Sequence, residues 1–123
     1  MARILVVDDE DSIRAFVQRA LAMDGHDVAT ARDGAEAIDV LAERNFDLML
    51  SDIRMPLMDG IALALSAGRD HPDMTILLMT GFADQRERAV DLETLIFDVV
   101  TKPFSLAQIR DAVGTALASR KAA

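Results

Sequence analysis

Five residues scattered along the chain could do chemistry together: Asp8, Asp9, Asp52, Thr80 and Lys102. Each lies at or just beyond the end of a short apolar run: Ile4–Val7, Leu48–Leu50, Ile76–Met79 or Ile96–Val100. If these runs are parallel strands of one sheet, acids, a hydroxyl and an amine collect at one edge. Such a gathering is costly. Two carboxylates about 5 Å apart repel by roughly 3 kcal/mol at an effective dielectric near 20. Three raise one another's pKa values unless a cation intervenes. The cluster contains no His or Cys, so a hard, oxygen-preferring divalent ion suits it, and Mg2+ is the expected one. Mg2+ takes one or two carboxylates and keeps several waters, which leaves positions for phosphoryl oxygens. Lys102 adds a point charge and Thr80 a hydrogen bond. Together these groups suit phosphoryl transfer to a carboxylate.

The elements that must position them follow from periodicity. Ile4–Val7 reads as a fully buried strand, because nothing in it alternates. Ser12–Asp24 reads as a helix capped by Ser12, with Ile13, Phe16, Val17, Ala20 and Leu21 in one apolar stripe and Gly25 as its left-handed stop. Val28–Ala31 is an edge-like strand, and Ala35, Ile38, Leu41 and Ala42 mark a second helix. Leu48–Leu50 is a buried strand, and a loop with Pro56 leads to a third helix over Gly60–Arg69. Ile76–Met79 is a fourth strand, Asp84–Leu92 a charged fourth helix, and Ile96–Val100 a fifth strand. Ser105 caps a last helix with the stripe Ile109, Ala112, Val113, Ala116 and Leu117. The pattern is (βα)5, which implies an α/β three-layer sandwich with right-handed crossovers. In the flavodoxin-like strand order 2-1-3-4-5 the strands carrying the five residues are neighbours, and ligands sit beyond their carboxyl ends.

Composition narrows the possibilities. A chain of 123 residues favours one domain. With 13 Lys and Arg against 21 Asp and Glu, the net charge of −8 disfavours direct nucleic-acid or membrane binding. The absence of Cys removes disulfides, thiolate metal sites and cysteine nucleophiles. With no Trp or Tyr and 5 Phe, stacking platforms for bases or flavins would have to be built from little. No apolar run approaches the roughly 20 residues of a membrane span, so the cytoplasm is the expected location. His26 and His71 read as solvated, and residues 119–123 as a flexible tail.

Asp8-Asp9, Asp52-Ile53-Arg54-Met55-Pro56-Leu57-Met58-Asp59-Gly60, Thr80-Gly81 and Lys102-Pro103-Phe104 together resemble the receiver domain of bacterial two-component response regulators. The resemblance runs from about Ala2 to Leu117, and a receiver domain over residues 1–118 is expected, with the CheY-like fold of that family. It implies that Asp52 is the phosphoacceptor. Asp9, Asp52 and the backbone carbonyl of Arg54 would ligate Mg2+, with Asp8 holding the ion through water. Thr80 and Lys102 would bind phosphoryl oxygens, and the Lys102–Pro103 peptide would be cis. The donor would be a histidine kinase or histidine phosphotransfer protein. The output would be a protein partner met by the fourth helix, fifth strand and last helix. Such a chain would be a phosphoacceptor rather than an enzyme, expected to be of single-domain type with no DNA-binding region after residue 117, or else the excised N-terminal domain of a longer regulator with Arg120-Lys121 opening a linker.

One position departs from the family. Many receivers carry an aromatic residue on the fifth strand, three positions before the lysine, where this chain has Val99. Phe82, two residues past Thr80, is the candidate replacement for that switch. Arg54 and Phe82, each two residues beyond a site residue, are also placed to shield the acyl phosphate from water. Two rivals remain open. An aspartyl-phosphate phosphatase of haloacid-dehalogenase type would use Asp9-Glu10-Asp11 and put its nucleophile on the first strand. A receiver-like scaffold would never be phosphorylated.

Overall fold

The computed structural model describes residues 1–82, 89 and 95–122. Of the helix expected over residues 84–92 only Ala89, buried in the core, is among the described residues, and the charged run 84–88 lies outside them. The strands are β1 (Arg3–Val7), β2 (Asp27–Ala31), β3 (Leu48–Asp52), β4 (Thr75–Thr80) and β5 (Asp98–Thr101). Between them run α1 (Asp11–Ala22), α2 (Gly34–Glu43) and α3 (Gly60–Asp70), and a C-terminal helix spans Leu106–Ala122. All pairings are parallel, in the order β2-β1-β3-β4-β5. This is the flavodoxin-like sheet that the alternation of short apolar runs and helical stripes implies.

Period-2 alternation sends each strand's side chains to opposite faces. Leu5, Val7, Met49, Ile76 and Leu78 pack on the side of α2 and α3. Ile4, Val6, Leu48, Leu50, Leu77 and Met79 pack on the other side, against Val17, Ala20 and Leu21 of α1 and Ile109, Val113 and Ala116 of the C-terminal helix. Both faces being covered explains why the central strands read as continuous apolar runs. Full burial of each such side chain contributes about 1.5–3 kcal/mol, which outweighs any local preference of these short runs.

Local chemistry sets the helix starts. Asp33 and Asp59 accept hydrogen bonds from the backbone of Glu36 and Ala62, capping α2 and α3. Ser105 and Gln108 cap the C-terminal helix reciprocally, at 3.1 and 2.8 Å. Glu10, not Ser12, holds the cap position of α1, without a side-chain cap bond. The reason lies upstream: the carboxylate of Asp8 already takes the Glu10 amide, so the turn closes two residues early. Gly25, at φ +80°, ends that segment as expected.

Four further readings change. Strand β3 runs past Leu50 to Asp52 and strand β4 past Met79 to Thr80, so the strands are longer than their apolar runs and end in these residues, as expected of them. Strand β5 begins at Asp98, because Ile96 and Phe97 lead into it with a single ladder bond from Phe97 to Ile76. His26 is not simply solvated: its Nδ1 accepts the Ala2 amide at 3.1 Å. The C-terminal helix continues through residues 119–122, the segment read from sequence as a tail.

Candidate functional site

The carboxyl ends of β1, β3, β4 and β5 bring the five candidate residues to one edge. Asp8 follows β1, its amide held by the carbonyl of Ala31 at 3.2 Å, and it is fully buried. Both its carboxylate oxygens are engaged: Oδ1 accepts the Glu10 amide at 2.9 Å, and Oδ2 accepts Lys102 Nζ at 2.9 Å. Asp52 ends β3 and is 6% exposed, with Oδ1 3.3 Å from Lys102 Nζ. Asp9 is exposed beside them. One carboxylate oxygen from each of Asp8, Asp9 and Asp52 lies within 4.8 Å of the others.

The electrostatics follow from that crowding. Burial, and then the negative charge of Asp8, raise the Asp52 pKa from 3.8 to about 6, with Asp9 adding to the rise and Lys102 opposing it. Burial alone would lower the Lys102 pKa. Its hydrogen bond to Asp8 and the charges of Asp52 and Asp8 outweigh burial and raise it. One ammonium faces three carboxylates, so positive charge is in deficit. Three hard oxygen donors this close, with no nitrogen or sulfur among them, fit a small divalent cation. Because both oxygens of Asp8 are already occupied, Asp9 and Asp52 are the better direct ligands.

A cleft of about 480 Å3 opens over Asp9 and Asp52, walled by Glu10, Arg54, Met55, Pro56, Gly81, Phe82 and Lys102. Arg54 and Phe82 meet at its mouth, the guanidinium carbon lying 4.7 Å from the ring centroid. Thr80 is 2% exposed and does not line the cleft. Its hydroxyl instead accepts the Phe82 amide at 3.0 Å, within its own loop. Val99 pairs with Leu78 in the sheet and packs against the α2 and α3 side of the core. The Lys102–Pro103 peptide is cis.

The β3–α3 loop carries Arg54 and is tightly wound. The Gly60 amide reaches the Ile53 carbonyl at 2.7 Å. A Cβ on Gly60 would stand 2.8 Å from the Ile53 Cα, so only glycine lets this loop press onto the backbone of Asp52. Leu57 adopts φ +69°, and the Met58 amide bonds to the Pro56 carbonyl at 2.8 Å, a strained three-residue turn. Sequence reading missed this strain, since Leu carries no turn signal. It also missed Arg14, whose only legible hint is its spacing of three residues from Asp11.

Comparisons with known proteins agree with this geometry. A family model described as the response regulator receiver domain matches residues 4–114. The DNA-binding transcriptional regulator NtrC of Escherichia coli (strain K12) is 40% identical over 103 residues, covering 84% of this chain and 22% of that protein. The response regulator MprA of Mycobacterium sp. (strain KMS) is 35% identical over 107 residues, covering 87% of this chain and 46% of that protein. The chain thus spans less than half the length of these curated relatives. The solved structure of response regulator protein TrrA from Thermotoga maritima, in complex with Mg2+ and BeF, matches with a TM-score of 0.85 and 31% identity, covering 94% of this chain and 99% of that one.

Proposed function

Because the chain belongs to the response regulator receiver family of two-component systems, we propose that Asp52 accepts a phosphoryl group from a phosphohistidine of a protein donor. The observation that carries this reading is the convergence of Asp8, Asp9 and Asp52 around Lys102 Nζ. In the transfer, an Asp52 carboxylate oxygen attacks phosphorus in line. The new O–P bond forms as the N–P bond of the donor histidine breaks, and the imidazole leaves with the electron pair. Lys102, already 3.3 Å from Asp52, neutralises charge gathering on the phosphoryl oxygens. Asp9 and Asp52, with the carbonyl of Arg54, would hold Mg2+, and Asp8 would orient it through water. When bound, that ion offsets the carboxylate repulsion and polarises the phosphoryl group.

Signalling follows from re-partnering. Thr80 gives up its bond to the Phe82 amide and turns to the phosphoryl oxygens. That frees Phe82, which takes the part of the aromatic switch that Val99 cannot supply. The Arg54–Phe82 contact across the cleft mouth slows the entry of water and lengthens the life of the acyl phosphate. The changed surface meets a protein partner in the cytoplasm through the segment 84–92, β5 and the C-terminal helix. The domain works as a phosphoacceptor that assists its own modification.

Incubation with acetyl phosphate and Mg2+, followed by intact mass and peptide mapping, tests the reading. One phosphoryl adduct on Asp52, absent in Asp52→Ala, is expected. An adduct on Asp9 would instead favour the phosphatase arrangement, and a folded protein with no adduct would favour a scaffold. For the shielding, an Arg54→Ala, Phe82→Ala double variant should lose its phosphoryl group faster; an unchanged rate rejects it.

A further inference from the structure

Arg14 takes no part in the chemistry above, yet its side chain is only 17% exposed. One guanidinium nitrogen donates to the backbone carbonyl of Asp8 at 2.6 Å, and another to the carboxylate of Asp11. Its own amide bonds to the Glu10 carbonyl at 3.1 Å, within the first turn of α1. Arg14 therefore grips both ends of the four-residue segment 8–11, which carries Asp8 and Asp9 from β1 to the first residue of α1. Neither guanidinium bond uses a carboxylate oxygen of Asp8 or Asp9. The remaining partners of Asp8 are the Ala31 carbonyl, the Glu10 amide and Lys102, so the residue is held on every polar atom.

We propose that Arg14 is a positioning residue for divalent-cation binding, clamping segment 8–11 so that the carboxylates of Asp8 and Asp9 meet Asp52 at close range. The proposal rests on the reading of these three acids as a Mg2+ site. A metal site needs its ligands held to within about half an ångström, and the groups that hold the ligands count nearly as much as the ligands themselves. A planar, forked guanidinium suits a clamp between a carbonyl and a carboxylate, because its donors are fixed relative to one another.

Charge and position make opposite predictions here. Arg14 is a cation near a cation site. If it acted only through its charge, its removal would tighten Mg2+ binding. If it acts by position, its removal loosens the site and weakens binding despite the charge gain.

The test is calorimetric titration of MgCl2 into the folded chain and three variants, with circular dichroism confirming the fold. Arg14→Ala is expected to weaken Mg2+ binding about tenfold, as loss of an orienting partner does. Arg14→Lys, with a single ammonium that reaches one of the two acceptors at a time, should fall between. Arg19→Ala, the same charge change on an exposed position of α1, should leave affinity unchanged or slightly tighter. Unchanged or tightened binding in folded Arg14→Ala overturns the proposal. Should that variant not fold, wild-type affinity in Arg14→Lys overturns it. If the wild-type chain takes up no Mg2+, the metal reading falls and this inference with it; if only the Arg14 variants behave like wild type, the metal reading stands alone.

Discussion

The two ends of the sheet are built on opposite terms. At the amino end, one interstrand bond follows another: Asp27 to Ala2, Asp47 to Arg3, Thr75 to Asp47 and Phe97 to Ile76. Charges there are matched. Asp47 accepts the Arg3 amide, Arg3 pairs with Asp27, and Arg110 grips Asp24 through Nε and Nη2. At the carboxyl end, Asp8 and Asp52 are buried side by side, and Leu57 sits in the left-handed region. The same strands thus end in stability on one side and in stored repulsion and strain on the other. A site that takes up a cation and an anionic group needs unmet charge, and unmet charge costs stability until they arrive.

Equivalent substitutions at the two ends put that contrast to the test. The largest effect should come from glycine. Gly60→Ala drives a methyl group into the backbone of Asp52 and Ile53, and a loss of about 3 kcal/mol in urea unfolding is expected. Gly25→Ala meets no atom within 4 Å and should cost only the left-handed backbone strain, about 1 kcal/mol. Equal losses at the two positions would mean that the carboxyl end is no more tightly built.

Next comes charge. Folded Asp52 binds its proton more tightly than the unfolded chain does, its pKa being raised from 3.8 to about 6. Its contribution to stability is therefore greatest below that window and is lost as pH rises through it. Without Mg2+, Asp52→Asn should stabilise the fold by about 1–3 kcal/mol at pH 7, and the gain should vanish near pH 3.8. A melt showing no gain at pH 7 would mean the carboxylates do not repel as their spacing implies.

A smaller effect concerns strain. Leu57→Gly should raise stability by about 1 kcal/mol, because glycine adopts φ +69° without a Cβ penalty. The smallest effect lies at the amino end and has the opposite pH sense from Asp52. Burial lowers the His26 pKa below its usual 6.5, with Asp24 opposing and the chain's amino-terminal charge assisting. The stability from neutral His26 is present above pH 6.5 and is lost as pH falls through its folded pKa. His26→Asn, which keeps an acceptor for the Ala2 amide but cannot titrate, should flatten the acid side of the melting curve. An unaltered acid limb would show that this bond carries no pH dependence.

Much of this was legible in the chain itself. The continuous apolar runs announced strands covered on both faces, and the parallel order followed from their alternation with helical stripes. The residues at the ends of those runs named the site, because a parallel sheet puts all its strand ends on one edge. Element edges were less legible. Ser12 looks like a cap, and only the Asp8 carboxylate, folded back onto the Glu10 amide, moves the helix start. Solvated His26 was a fair reading until the fold set the Ala2 amide beside it.

Residue types and their order therefore determined which groups could meet: three acids, an amine and a hydroxyl, with a hard cation as their natural complement. Tertiary structure decided how they meet. Lys102 lies 94 residues from Asp8 in the chain, yet closes on it at 2.9 Å. The raised pKa of Asp52, the Arg54–Phe82 contact and the grip of Arg14 on the Asp8 carbonyl also exist only once the chain is folded. The physical reason is range. Hydrophobic periodicity is a local property that a sequence displays, whereas burial, dielectric and hydrogen-bond geometry depend on atoms that only packing brings together.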